Sequence, residues 1–388
     1  MTVLPLHCTV QHYAWGSKTS IPTLLGADSP QNEPWAELWM GAHPKAPSKL
    51  HDGTSLVDFI AANPNAALGR AGTLPFLFKI LAAEGPLSIQ CHPNKMQAVA
   101  GFAREEAQGI ARDAPNRNYR DANHKPELIV ALEEFWALKG FRSPDAIAQL
   151  FQRAQMHSAS PLLEALAGAG GLRAFYTGLL NLDSQETTQL LTELARGLGN
   201  LPKPEARWSQ GLLARYPNDQ GATSALVLQL VKLEAGQALY LGAGELHAYL
   251  RGTGLEIMAN SDNVLRGGLT PKHVDPAELQ SVLRFEHEPV SILSAEGTTS
   301  LRDYKTPCRD FALSRMKLEG SRTCERVPSS PSAQIWLNLG DETELQWGTD
   351  RRRLARGGVL FVTANSPPIE VTRQNPLAVD LWIASYPA

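Results

Sequence analysis

The sequence predicts a mainly β fold interrupted by an α-helical insertion. Three observations predict it. Before residue 143, short apolar runs are punctuated by Gly, Pro and Asp. From 143 to 225 the pattern becomes helical, with Leu150, Phe151, Leu190, Leu191 and Leu194 at helical spacing. From Leu226 the β pattern returns, and short strands separated by turns continue to the end. At 388 residues the chain exceeds one ordinary domain. The expected division is a barrel from 1–142 and 226–290, a helical domain at 143–225, and a second β domain at 291–388.

The elements follow in order. Ala36–Met40 and Pro75–Leu81 read as strands, the second a continuous apolar run with Lys79 inside it. Thr54–Ala61 is helical. Ser88–His92 reads as a strand stopped by Pro93-Asn94, and Lys95–Arg112 as a helix. Asn118–Glu127 is too polar and Pro-interrupted to be regular, and leads into the strand Leu128–Leu132. Ser143-Pro144, Ser160-Pro161 and Asp183-Ser184 each look like a helix start. Gly236–Lys272 reads as a strand, a tight turn, a strand carrying His247, a Gly-rich hairpin and a further strand, closing on a loop with Arg266 and Lys272. Ala333–Leu337, Gly358–Thr363 and Leu377–Ile383 are strands of the last β region.

Composition excludes several classes. A formal net charge of −3 and no long Lys/Arg block argue against nucleic acid. Neither a signal peptide nor a membrane span is expected, so no membrane partner follows. Cys8, Cys91, Cys308 and Cys324 lack CxxC spacing, which suggests a reducing cytoplasm and no thiolate zinc site.

Gln90 and His92 lie two apart on a predicted strand. Alternation puts both on one face and Cys91 on the other, packed rather than ligating. His247 lies on a separate strand, with Tyr249 on the same face. Two His, a Gln and a carboxylate form a nitrogen/oxygen donor set that suits zinc, manganese or iron. Glu127 is the best carboxylate candidate because it begins a strand after an irregular segment. Arg266 and Lys272 flank a Gly-rich loop that either binds a phosphate or is simply a solvated charged loop. Lys125 and Glu256 can transfer protons if burial tunes them. Trp15, Lys79 and Ser88 are weaker candidates.

The Gly spacing before Gln90 and around His247 resembles the two motifs of cupins, small jelly-roll barrels that hold a metal with inward-facing side chains. Tyr13–Ser17, Pro34–Gly41, Leu87–Lys95, Asn118–Leu128, Gly244–Leu250, Gly254–Arg266 and Leu269–Lys272 together resemble the type I mannose-6-phosphate isomerase (phosphomannose isomerase) family. The resemblance spans nearly the whole chain. It implies two cupin barrels, one with metal, and one zinc ion per chain on Gln90, His92, Glu127 and His247. It implies Arg266, Lys125 and Glu256 as catalytic residues, and Ser88, Lys272, Trp15, Lys79 and Tyr249 as substrate-binding ones. The implied reaction is interconversion of mannose 6-phosphate and fructose 6-phosphate through a cis-enediol(ate), in a cytoplasmic monomer acting on a small sugar phosphate. Departures are Cys91 where Val is more usual, His273 where Tyr is common, and Arg251 where Gln is common; His273 is an outside candidate for proton transfer. The competing readings are a metal-dependent cupin oxygenase and a non-catalytic sugar-binding cupin.

Overall fold

One strand, His247–Ala259, organises the molecule by belonging to two sheets at once. The computed structural model describes residues 2–28, 33–70, 72–297, 299–320, 323–373 and 378–387. The first part of the strand pairs with Phe135–Phe141 and, at His247, with Ile89–Cys91. From Gly252 onward it pairs with Phe76–Ala83 on one side and Glu127–Ala131 on the other.

This replaces the expected Gly-rich hairpin. The register slips between Tyr249 and Arg251, and the strand bends there instead of turning back. Gly252 has φ +127°, and a Cβ on it would sit 2.8 Å from the Glu134 carbonyl oxygen and the Phe135 Cα. The glycine therefore serves a bend with close backbone approach, which is the other use of glycine inside a strand.

Side-chain alternation sorts the residues into layers. Leu77, Lys79, Leu81 and Ala83 face the space between the two sheets, while Phe76, Phe78, Ile80 and Ala82 face away. The outward face packs on a six-stranded sheet containing Gln334–Asn338, Val359–Val362 and Val379–Ser385. This explains why the run is apolar on both faces. A four-stranded sheet packs beyond it, through Trp336, Leu360 and Leu381. The other sheet turns Ile89, Cys91, Leu138, Ala248 and Leu250 toward a cluster of helices between Pro144 and Val227.

Two of the three expected helix caps are present. The Ser143 hydroxyl accepts from the Ala146 N–H, and Asp183 forms a capping box with Glu186. Ser160 instead lies inside its helix, because the 3-10 turn His157–Ala159 runs directly into it; its hydroxyl donates to the His157 carbonyl. Two strands cross the division drawn from sequence. Val3–Leu6 pairs with Val359–Val362, and Leu293–Ser294 pairs with Gln237–Leu241. Leu377, expected to begin the last strand, lies outside the described residues. Among the described residues no helix is long and apolar enough to cross a membrane.

Candidate metal centre and substrate site

Three strand ends bring His92, Glu127 and His247 together between the two sheets. His92 follows Ile89–Cys91, Glu127 opens Glu127–Ala131, and His247 opens the long strand. All three are buried, and each offers a donor atom within 4.8 Å of the others'. Glu127 lies between the imidazoles, with Oε1 3.3 Å from His92 Nε2 and Oε2 3.4 Å from His247 Nε2.

The far side of each ring fixes its tautomer. His92 Nδ1 is 2.8 Å from the Asn263 carbonyl, and His247 Nδ1 is 3.0 Å from the Glu245 carbonyl. A carbonyl oxygen only accepts, so each Nδ1 carries the proton and each Nε2 presents a lone pair. A lone pair facing a carboxylate makes no hydrogen bond, and His92 Nε2 is indeed buried without a partner. Burial, then the Lys125 ammonium, pushes the His92 imidazolium down to about 4 despite Glu127, so the ring is neutral at neutral pH. Glu127 is also ionised: burial opposes its charge, but the Lys125 ammonium holds it well below the usual carboxylate range. Two neutral imidazole nitrogens and a carboxylate aimed at one point form a donor set that a metal cation satisfies together.

Gln90 stands directly opposite His247 in the antiparallel ladder, so their side chains share a face. Its Nε2 donates to the Ser88 hydroxyl at 3.4 Å, which leaves the amide oxygen free as a donor to a metal. Arg266 stands opposite Gln90 on the other side. Three adjacent strands thus place His247, Gln90 and Arg266 in one row. Cys91 points the other way, into the helical cluster, where burial raises its thiol pKa.

Beside the centre runs a buried chain of charges. Lys79 Nζ lies 2.7 Å from Glu256 Oε2 and 3.3 Å from Glu37 Oε1. Tyr249 donates to Glu256 Oε1 at 2.7 Å, and Trp39 Nε1 donates to Glu37 at 2.7 Å. Burial raises the Glu256 carboxyl against the pull of Lys79, with Glu127 adding to the rise. The same carboxylates, Glu256 first, keep the Lys79 ammonium charged against its burial. Lys125 bridges to Glu127 Oε1 at 2.8 Å. Three carboxylates (Glu37, Glu127, Glu256) therefore face two ammonium groups (Lys79, Lys125), an excess of negative charge suited to a bound cation.

The irregular segment before Glu127 is held by the 261–263 turn. Asn263, fully buried, accepts from the Arg120 and Asp121 N–H groups and donates to the Asp121 and Asn123 carbonyls. Asp121 in turn accepts from the Ser261 hydroxyl and the Asp262 N–H. The loop bearing Lys272 is tied to the end of the helical region, where Asp219 accepts from the Thr270 N–H. Trp15 is half-buried against the inner core and stacks on Tyr13. Arg251 is exposed and reaches Glu84, and His273 is exposed.

Sequence reasoning passed over Glu37, Arg120, Asp121 and Asn263. Glu37 had a usable signal: it is a charge inside an apolar run, as Lys79 is. Asp121 and Asn263 had none individually, since their partners are about 140 residues away in the chain.

A family model described as phosphomannose isomerase type I, catalytic domain, matches residues 3–144. The mannose-6-phosphate isomerase of Escherichia coli (strain K12) is 41% identical over 382 residues, spanning 95% of this chain and 97% of that protein. The apo crystal structure of mannose 6-phosphate isomerase from Salmonella typhimurium superposes with a TM-score of 0.92 at 38% identity, covering both chains fully. A crystal structure of mannose 6-phosphate isomerase bound with zinc and yttrium gives 0.92 at 39%, again with full coverage. The chain belongs to the mannose-6-phosphate isomerase family.

Proposed function

We propose that this chain is a zinc-dependent aldose–ketose isomerase that interconverts mannose 6-phosphate and fructose 6-phosphate. The observation that carries the reading is the buried, unpartnered Nε2 of His92, converging with His247 and Glu127 in a member of this family. Gln90, His92, Glu127 and His247 would hold one zinc ion. Bound there, zinc supplies Lewis acidity, polarising the sugar carbonyl and stabilising negative charge on oxygen.

The remaining chemistry falls to side chains. The sugar must open, lose the proton α to its carbonyl to give a cis-enediol(ate), and regain a proton at the neighbouring carbon. Both oxygens of Glu256 are engaged, one by Lys79 and one by Tyr249, which supports a role in holding and relaying a proton. Lys125 is bound on one side only, by Glu127, and supports the more direct exchange with substrate. Arg266, beside Gln90, is suited to stabilise developing charge. Lys272 and Ser88 are assigned to the phosphate, which anchors the substrate and orients it. Trp15, Lys79 and Tyr249 complete the wall of the substrate space.

We read the two-sheet unit as a cupin-type barrel from 1–142 and 226–290, with 143–225 as a helical domain and 291–388 as a C-terminal β domain that borrows Val3–Leu6. One chain carries every candidate donor, which supports a monomer. The cysteines are free, which supports a cytoplasmic setting. Family membership leaves the oxygenase and the non-catalytic readings without support.

His247→Ala tests the proposal. Zinc content and turnover are expected to fall together; turnover that persists after the metal is lost would show that zinc has no role.

A further inference from the structure

Arg120 sits in the irregular segment that delivers Lys125 and Glu127. Its backbone N–H donates to Asn263 Oδ1 at 2.7 Å. The main-chain carbonyl of the same Asn263 accepts a hydrogen bond from His92 Nδ1. Arg120 is thus rooted beside the residue that orients a metal donor, and Asn263 lies only three residues before Arg266. Its guanidinium is half-buried, and among the described residues no carboxylate lies within ion-pair distance of it. Arg266 is likewise half-buried and Lys272 is exposed, and among the described residues neither has a carboxylate within ion-pair distance. The charges of Arg120 and Arg266 lie close enough to act on each other, and both act on Lys272. Elsewhere among the described residues buried or half-buried cations are paired, as Arg117 is with Glu105, Arg142 with Glu205 and Arg315 with Asp380. Three like charges gathered without a counter-ion at the edge of a metal centre repel one another, and an anion relieves that repulsion.

We propose that Arg120 is a third phosphate-binding residue, joining Lys272 and Ser88 in holding the phosphate of the sugar substrate, with Arg266 beside them in the same cluster of cations. The inference rests on the sugar-phosphate reading of the site and adds a residue to it. A phosphate monoester carries about −1.5 to −2 charges and three acceptor oxygens at neutral pH. A planar guanidinium offers a bidentate fork that matches two of those oxygens, which a lysine at the same place does not.

The test uses the zinc-loaded enzyme, with Arg120→Ala, Arg120→Gln and Arg120→Lys. All three keep the backbone N–H that Asn263 accepts, so the loop anchor survives. With mannose 6-phosphate as substrate, Ala and Gln are expected to raise KM about tenfold or more, with a much smaller change in kcat, the pattern of lost uniform binding. Arg120→Lys recovers part of the loss. Calorimetric titration with inorganic phosphate reads the same contact without turnover, and its affinity falls by a similar factor. KM and phosphate affinity both within about twofold of the unsubstituted enzyme in the Ala and Gln variants would overturn the proposal. So would a loss of zinc and kcat with phosphate affinity unchanged, which would make Arg120 a positioning residue for the loop. An unsubstituted enzyme inactive on mannose 6-phosphate would instead refute the proposed function, and the phosphate titration would still decide the role of Arg120.

Discussion

Asn263→Ala probes the junction on which the metal centre depends. The side chain makes four hydrogen bonds to backbone groups of the 120–123 segment, at 2.7, 3.2, 2.8 and 2.8 Å, and is fully buried. Each such bond contributes about 0.5–1.5 kcal/mol net, and buried partners left unpaired cost more. Some of the freed groups will find water, so a loss of roughly 2–4 kcal/mol is expected. In a melting experiment this should lower Tm by about 2–5 °C. The second effect is on the metal. The Asn263 main-chain carbonyl, which the substitution keeps, fixes the tautomer of His92, while the lost side-chain amide holds that turn to the segment that carries Glu127. Loosening such supports weakens metal affinity about 10–100-fold. Competition with a chromophoric chelator measures the affinity, and calorimetry measures Tm on the same sample. Asn263→Asp is the control. It keeps the acceptor for Arg120 and Asp121 but loses both donors and places an oxygen against two carbonyls, so it should be no better than Ala. If zinc affinity in Asn263→Ala stays within about twofold and Tm does not move, the claim that Asn263 couples the two loops to the metal is wrong.

The other predictions concern the surroundings. Lys79→Met leaves Glu37 and Glu256 buried without their shared ammonium, and should cost about 3–5 kcal/mol of stability in denaturant unfolding. It also raises the Glu256 pKa further, so any acidic limb of the pH–rate profile that reports Glu256 moves to higher pH; an unmoved profile would remove Glu256 from the proton path. Cys91→Val should leave zinc content unchanged and alter stability by less than about 1.5 kcal/mol, because the thiol faces the helical cluster; loss of zinc would show that the face assignment is inverted. The His124–Asp310 pair, at 2.8 Å, ties the C-terminal region to the segment before Lys125. The hydrogen bond from His124 lowers the Asp310 pKa below 3.8. The contribution of this carboxylate is therefore fully present above that value and is lost as pH falls through the lower folded one. The stability difference between the unsubstituted chain and Asp310→Asn should shrink in that acidic window, and a difference that grows there would contradict the assignment.

How much of this was legible in the sequence depends on the range of the interaction. Gln90 and His92 could be placed on one face from period-two alternation alone, and Cys91 on the other, because that rule is local. Glu127 was a candidate from its position at a strand start, but only the family resemblance singled it out. The Gly-rich stretch after Arg251 was misread as a hairpin because glycine serves both turns and bends. What decides between them is the close approach of Phe135, more than a hundred residues earlier in the chain. Ser160 was misread as a cap because the preceding 3-10 turn had no signal of its own. Val3–Leu6 could not be assigned to the C-terminal sheet by any local pattern, since its partner is the strand Val359–Val362. Asp121 and Asn263 matter through tertiary partners, and nothing short of the fold reveals them.

The most direct measurement is a coupled assay of mannose 6-phosphate isomerisation to fructose 6-phosphate on the purified chain. It is run as prepared, after exhaustive chelation, and after zinc is returned. Activity that disappears with chelation and returns with zinc is the predicted result. No activity with zinc restored, or full activity in protein shown to be free of metal, would contradict the account.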